Sequence, residues 1–369
     1  MVDSSVSPFL KHLDCIKDPR RYNTRHFLHD CLMIALCAII SGADSWVQVE
    51  EYGRSKIEWF KDFLELPNGI PSHDTFGRLF ARIDPKGFHE FFSRWVQEFS
   101  GSLKGKTVAI DGKTLRGSHD RINGKSAIHM VSAWVSDIRM VLGQFKTDDK
   151  SNEITAIPEL IKTLALEGAI VTIDAMGCQK KITRTIIDVG ADYVIQVKEN
   201  QKKLHDDISL FFKDSANAPF DSFETLDGEH GRIETRRYFS TGDLDWLQGK
   251  ENWTGINSIC MAVRKRDING ETSSESSYFI SSLQNNAPEI AKSIREHWGI
   301  ENDLHWCLDV TFREDHCRVR KDHAPENFGT LRHMATNLLK QEKSLKTGLQ
   351  TKRLKAAWDH DYLIKVLTS

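Results

Sequence analysis

The run Lys106-Thr-Val-Ala-Ile-Asp111-Gly-Lys-Thr-Leu115 constrains the chain more than any other. Val108 and Ile110 alternate with Thr107 and Ala109, which is strand periodicity, and the apolar part stops on an acid followed by glycine. The spacing predicts a central strand with the Asp111 carboxylate at its carboxyl end, where open α/β sheets hold their ligands. Lys113 and Arg116 follow at once. An acid suited to a cation, beside bases suited to a polyanion, points to metal-assisted chemistry on phosphates. A plain turn-capping Asp is the simpler reading, and only further acids from the right elements displace it.

Charge narrows the partners by distribution, since the net over 369 residues is only −2. Residues 104–125 hold six Lys and Arg against two Asp, or +4, and residues 313–369 hold twelve against seven Asp and Glu, or +5. Both regions suit nucleic acid, and both equally suit solvated helix faces. Seven cysteines without a Cys-x-x-Cys spacing argue against a disulfide framework and for a reducing cytoplasm. Met1-Val-Asp-Ser-Ser5 lacks the pattern of a signal peptide, and the most apolar run, Cys31–Ala43, is too short to span a bilayer. It reads as a buried helix, so no membrane partner is expected.

Residues 1–100 read as all-helical, with helices over Leu28–Ser41, Trp46–Leu64, Ser72–Ile83 and Gly87–Phe99. The Pro67–Pro71 turn allows a helix-turn-helix with Arg78 and Arg82 toward phosphates, but a plain bundle is favoured. Gly101–Gly105 is the expected boundary. Beyond it, Ala127–Ser136 and Arg139–Phe145 read as antiparallel strands, Ile154–Leu166 as a helix, Ala169–Asp174 as a second strand ending in Asp, Cys178–Val189 as a helix and Asp192–Val197 as a fifth strand. Three strands, helix, strand, helix, strand is the order of the ribonuclease-H-like fold, whose first and fourth strands lie side by side and would aim Asp111 and Asp174 into one site. A helix over Gln201–Lys213 precedes β-rich residues about 216–285, with strands at Arg232–Phe239, Ile256–Arg266 and Ser276–Ser282. Ala287–Leu308 then reads as one long helix, on which His297, Glu301 and His305 share a face.

The segments Ile110-Asp111-Gly-Lys-Thr-Leu-Arg116, Thr172-Ile-Asp174-Ala-Met-Gly-Cys-Gln179, Lys198-Glu-Asn200-Gln and His297-Trp-Gly-Ile-Glu301-Asn-Asp-Leu-His-Trp306 resemble the H-repeat-associated insertion-sequence transposases of the DDE class, over nearly the whole chain. The resemblance implies an α/β, ribonuclease-H-like catalytic domain over 101–340 with a β-rich insertion, an all-α N-terminal domain over 1–100, and a basic helical tail over 341–369. It implies Asp111, Asp174 and Glu301 as catalytic residues holding Mg2+, with Mn2+ able to substitute. It implies as partners DNA, both terminal inverted repeats and target, and a homodimer on paired ends. Lys113, Arg116, Lys198, His297 and His305 are the expected DNA contacts. Broader relatives carry Arg where this chain has His297, so His297 is expected to be protonated near the acids, its pKa raised. Trp298 and Trp306 are read as core. The alternatives are a DNA-binding remnant without catalysis, and a mononuclear metalloenzyme using His297, Glu301 and His305.

Overall fold

The computed structural model describes residues 12, 15–20, 24–120, 124–147, 153–214, 220–229, 232–268 and 270–369. The N-terminal segment 1–11, Arg121 of the basic loop, and the expected start of the insertion at 216 lie outside the described residues.

The helical region follows from its caps and apolar faces. α1 (Leu28–Ile40) is apolar all round and is buried all round from Asp30 onward. α2 (Trp46–Ser55) starts on Ser45, whose side chain accepts from Gln48 N. It stops at Lys56 and restarts as the single turn α3 (Ile57–Phe60), so the helix expected over Trp46–Leu64 is broken. α4 (His73–Arg82) is capped by Ser72 and α5 (Pro85–Ser100) by Asp84 with proline in its first turn.

β1 (Thr107–Thr114), β2 (His129–Val135) and β3 (Met140–Lys146) form an antiparallel meander. α6 (Glu153–Thr163) leads to β4 (Ile170–Ile173), which lies parallel to β1, and α7 (Lys180–Asp188) leads to β5 (Asp192–Val197), parallel to β4. After α8 (Lys202–Asp214) come β6 (Asp221–Glu229), β7 (Arg232–Thr241), β8 (Ser258–Ile268) and β9 (Glu271–Ser281). The last of these pairs antiparallel with β5, so the insertion continues the same sheet, in the order β3-β2-β1-β4-β5-β9-β8-β7-β6. β6 was not expected from the sequence. It is a largely exposed edge strand rich in charge, and it lacks the apolar alternation that marks a half-buried strand.

α9 (Ala287–His297) returns across β1 and β4. It runs into a π-helical segment, Ile300–His305, and then α10 (Trp306–Val310). α11 (Ala324–Gln341) is buried along nearly its whole length between α1, α4 and α5 on one side and β3 on the other. Two asparagines clamp it: Asn337 brackets the backbone N–H and carbonyl of Val141, and Asn327 donates to the carbonyls of Phe80 and Ile83. α12 (Leu349–Trp358) and α13 (His360–Leu367) pack onto the same core. Basic residues of this tail are therefore not all surface. Arg353 is buried and donates to the carbonyls of Ile39 and Thr311, and Lys352 is buried against carbonyls of Leu339 and Glu342.

Candidate active site

β1 does not stop at Asp111 but continues beside β2 to Thr114. What stops there is its pairing with β4. The last parallel pair is Ile110 with Ile173, so Asp111 and Asp174 are the next residue on each of two adjacent strands. Neighbouring strands lie roughly 4.8 Å apart, so the two acids sit side by side where β1 and β4 part. Asp174 also caps the turn that follows it, accepting from Met176 N at 3.0 Å and Gly177 N at 3.4 Å. That turn is braced from below: Asn200 donates to the Ala175 carbonyl and Gln201 to that of Cys178. Part of the Lys198-Glu-Asn-Gln segment thus fixes the loop after the second acid.

The third acid arrives on a helix of altered pitch. Gly299 passes so close to Ser136 that a Cβ there would collide with its hydroxyl, and Ser136 donates to the Glu296 carbonyl at 2.7 Å. The next residues adopt π-helical geometry, so the common face predicted for His297, Glu301 and His305 is lost. His297 is half-buried with its Nδ1 3.1 Å from Thr172 Oγ1, His305 lies with Nδ1 3.5 Å from Asp111 Oδ2, and Glu301 is exposed. The three do not assemble as a mononuclear metal site, and Trp298 and Trp306, expected in the core, are exposed.

Electrostatics tie the acids together. Burial, opposed by a backbone hydrogen bond from Gly112 and reinforced by Glu153, Asp174 and Glu301, pushes Asp111 up to about 7. Burial and Glu153 raise Asp174, and burial and Asp174 raise Glu301. Glu153 is a fourth acid that sequence reading did not single out. It pairs with His129 Nε2 at 2.6 Å, and both side chains pack close over Gly112, where a Cβ would displace them. Among the described residues no three acids or imidazoles are drawn together closely enough to hold an ion as they stand. The donor set is nonetheless hard oxygen, and repulsion between its charged forms is what a bound divalent cation relieves.

The expected DNA contacts divide. Lys113 does not face solvent: its Nζ lies 2.6 Å from Asp309, 3.3 Å from Glu314 and 3.4 Å from Asp315. Burial opposes its charge, but the three acids outweigh burial and hold the ammonium above its ordinary pKa. It is a tie between β1 and the segment after α10. Arg116 is 80% exposed, with its Nε 3.5 Å from Asp315, and Lys198 is exposed beside Asp174, whose pKa it lowers. His297 does not have the raised pKa expected of it. Burial pushes it down to about 4, because its surroundings on β4 remove water without offering a carboxylate partner. His305 is likewise held near 4 by burial and by Lys113. A cavity of about 540 Å3 opens from Asp174, Lys198 and His297 over β7, β8 and β9.

Residues 102–338 match the transposase DDE domain, and residues 10–96 match the domain described as DDE_Tnp_1-associated. The chain belongs to the DDE-domain transposases. It is 41% identical over 370 residues to the "H repeat-associated putative transposase YhhI" of Escherichia coli K12, covering 98% of each chain. It is 42% identical over 372 residues to the "Putative transposase YncI" of Escherichia coli O157:H7, covering 99% of this chain and 95% of the relative. All seven cysteines are free, and among the described residues no helix is long and apolar enough to cross a membrane.

Proposed function

We propose that the chain cuts DNA at the ends of an insertion sequence and joins it to target DNA, on a ribonuclease-H-like domain spanning 101–340, with Asp111, Asp174 and Glu301 as the ligands of Mg2+ or Mn2+. The supporting observation is the register of β1 and β4, which makes Asp111 and Asp174 equivalent neighbours, together with the mutual repulsion that links them to Glu301. Two-metal phosphoryl transfer takes from its ions the activation of the attacking oxygen and the stabilisation of the leaving one. The chain's own residues supply the rest. Asp174 keeps its place through the turn it caps, Lys113 anchors the chain beyond the third acid to β1, and Lys198 and Arg116 offer positive charge to phosphates. His297 and His305, being neutral at physiological pH, act as hydrogen-bonding groups rather than cations. Pairing two DNA ends calls for two copies, so a homodimer on DNA belongs to the reading.

The test is Mg2+-dependent cleavage of DNA carrying the element's terminal inverted repeats. Asp111→Asn, Asp174→Asn and Glu301→Gln are each expected to drop cleavage to background while DNA binding persists. Near-normal cleavage by any one of them removes that residue from the ligand set. Binding without cleavage by the unaltered protein would favour a catalytically inactive remnant.

A further inference from the structure

The outer face of α4 carries Arg78 and Arg82 one turn apart, both exposed, while Phe76, Leu79 and Phe80 face the core. Three shallow grooves flank this face. One is shared by Arg78 with Arg318, Arg320 and Lys321, the second by Arg82 with Lys125 and Lys146, and the third by Arg78 with Arg20 and Arg25. The cations come from segments far apart in the chain that are fastened together. His323 N donates to the Ala81 carbonyl, Arg320 Nε donates to the Gly117 carbonyl, and a Cβ on Gly117 would collide with the Cys317 carbonyl. Nine Lys and Arg line the three grooves against Asp44, Asp74 and Asp322, and with Asp18, which pairs with Arg20, the local charge is +5 in a chain of net −2. Asp44 is already paired with the buried Arg353. Among the described residues Arg78, Arg82, Arg318, Arg320 and Lys321 have no carboxylate within ion-pair distance.

A concentration of unpaired cations stabilises neither the fold nor itself, because like charges repel and gain nothing back. Its natural complement is a polyanion. The aromatics beneath the face, Trp46, Phe76 and Phe80, stack inward on one another and offer no platform for single-stranded bases. We infer that α4, residues 318–321, Arg116 and Lys125 form one composite surface that grips the phosphate backbone of duplex DNA. The inference rests on the transposase reading and assigns it a docking surface. Because residues 115–118 continue β1, DNA held there lies next to the strand that carries Asp111.

The experiment compares the full-length protein, the triple variant Arg78→Ala/Arg318→Ala/Lys321→Ala, its Arg78→Lys/Arg318→Lys counterpart, and Arg237→Ala, an exposed meander arginine paired with Glu224. Binding to a duplex bearing the terminal repeat, to a scrambled duplex and to a single strand is measured against salt, with thermal melting as the check on folding. The triple variant is expected to lose roughly three units of salt slope on both duplexes, about one per phosphate contact. The lysine counterpart and Arg237→Ala are expected to keep the full slope. An unchanged slope in the triple variant, beside full binding and Mg2+-dependent cleavage by the unaltered protein, overturns this surface and leaves the transposase reading standing. A loss confined to the single strand overturns it as well. Failure of the unaltered protein to bind either duplex overturns both.

Discussion

Arginine is used in opposite ways on the two sides of the molecule. On the β6–β9 meander, Arg236 is bound to Asp227 and Glu234, Arg264 to Glu275 and Arg266 to Glu234, and Arg295 of α9 reaches over to Asp227. Around α4, five cations have no acid in reach among the described residues. Lys113 extends the first pattern into the interior, compensated three times over. A count of basic residues along the sequence does not tell these uses apart, because pairing is decided by residues brought in from elsewhere. Compensated cations hold the chain together. Uncompensated ones are available to a partner.

The sharpest way to break this distinction is at Lys113. Lys113→Met would leave the buried Glu314 with Arg332, 3.6 Å away, as its remaining cation and with Asp309 and Asp315 beside it. Removing one partner of a buried ion pair typically costs about 3–5 kcal/mol. The variant is expected to lose stability on that scale in denaturant unfolding, with the salt slope of whatever DNA binding survives unchanged. A stable variant with a shallower slope would return Lys113 to the phosphate contacts.

His297 sharpens the same contrast by reversing an expectation. Read as an arginine substitute, it should tolerate Arg. Held neutral near 4 by burial, it should not. His297→Arg forces a permanent charge into that environment and is expected to cost on the order of 3 kcal/mol and to lower cleavage along with it. The pH dependence follows with a definite sign. A histidine whose folded pKa lies below its unfolded value of about 6.5 withdraws stability as pH falls from there toward 4. Over that window wild type should therefore lose stability relative to His297→Gln. A more stable His297→Arg would show a carboxylate partner that the fold does not place there.

How much was legible follows the same line. Asp111 and Asp174 could be read because each closes a short β-branched run, and their adjacency could be read from element order. Glu301 was legible only through the resemblance of its surrounding segment. The π-helical turn was not, since Ala287–Leu308 has good α-helical periodicity and the close passage of Gly299 against Ser136, just before the turn, involves a residue far away in sequence. Partners distant in sequence were equally hidden: Lys113 and Asp315 are 202 residues apart, and Glu153 meets His129 across a loop. β6 escaped because an exposed edge strand has no apolar face to betray it.

The central claim is that Asp111, Asp174 and Glu301 form a divalent-cation site whose acids repel one another until an ion arrives. Without metal, Asp111 titrates near 7 in the folded chain against an ordinary carboxylate value near 4, so the folded state holds its proton longer and stability falls as pH rises between the two. The direct measurement is calorimetric titration of Mn2+ into the metal-free protein at pH 8 and at pH 5.5, for wild type and Asp111→Asn. Binding by wild type at pH 8, weakened at pH 5.5 as the proton competes, and lost in Asp111→Asn, is the predicted result. Binding of equal strength at both pH values, undiminished in Asp111→Asn, would contradict it.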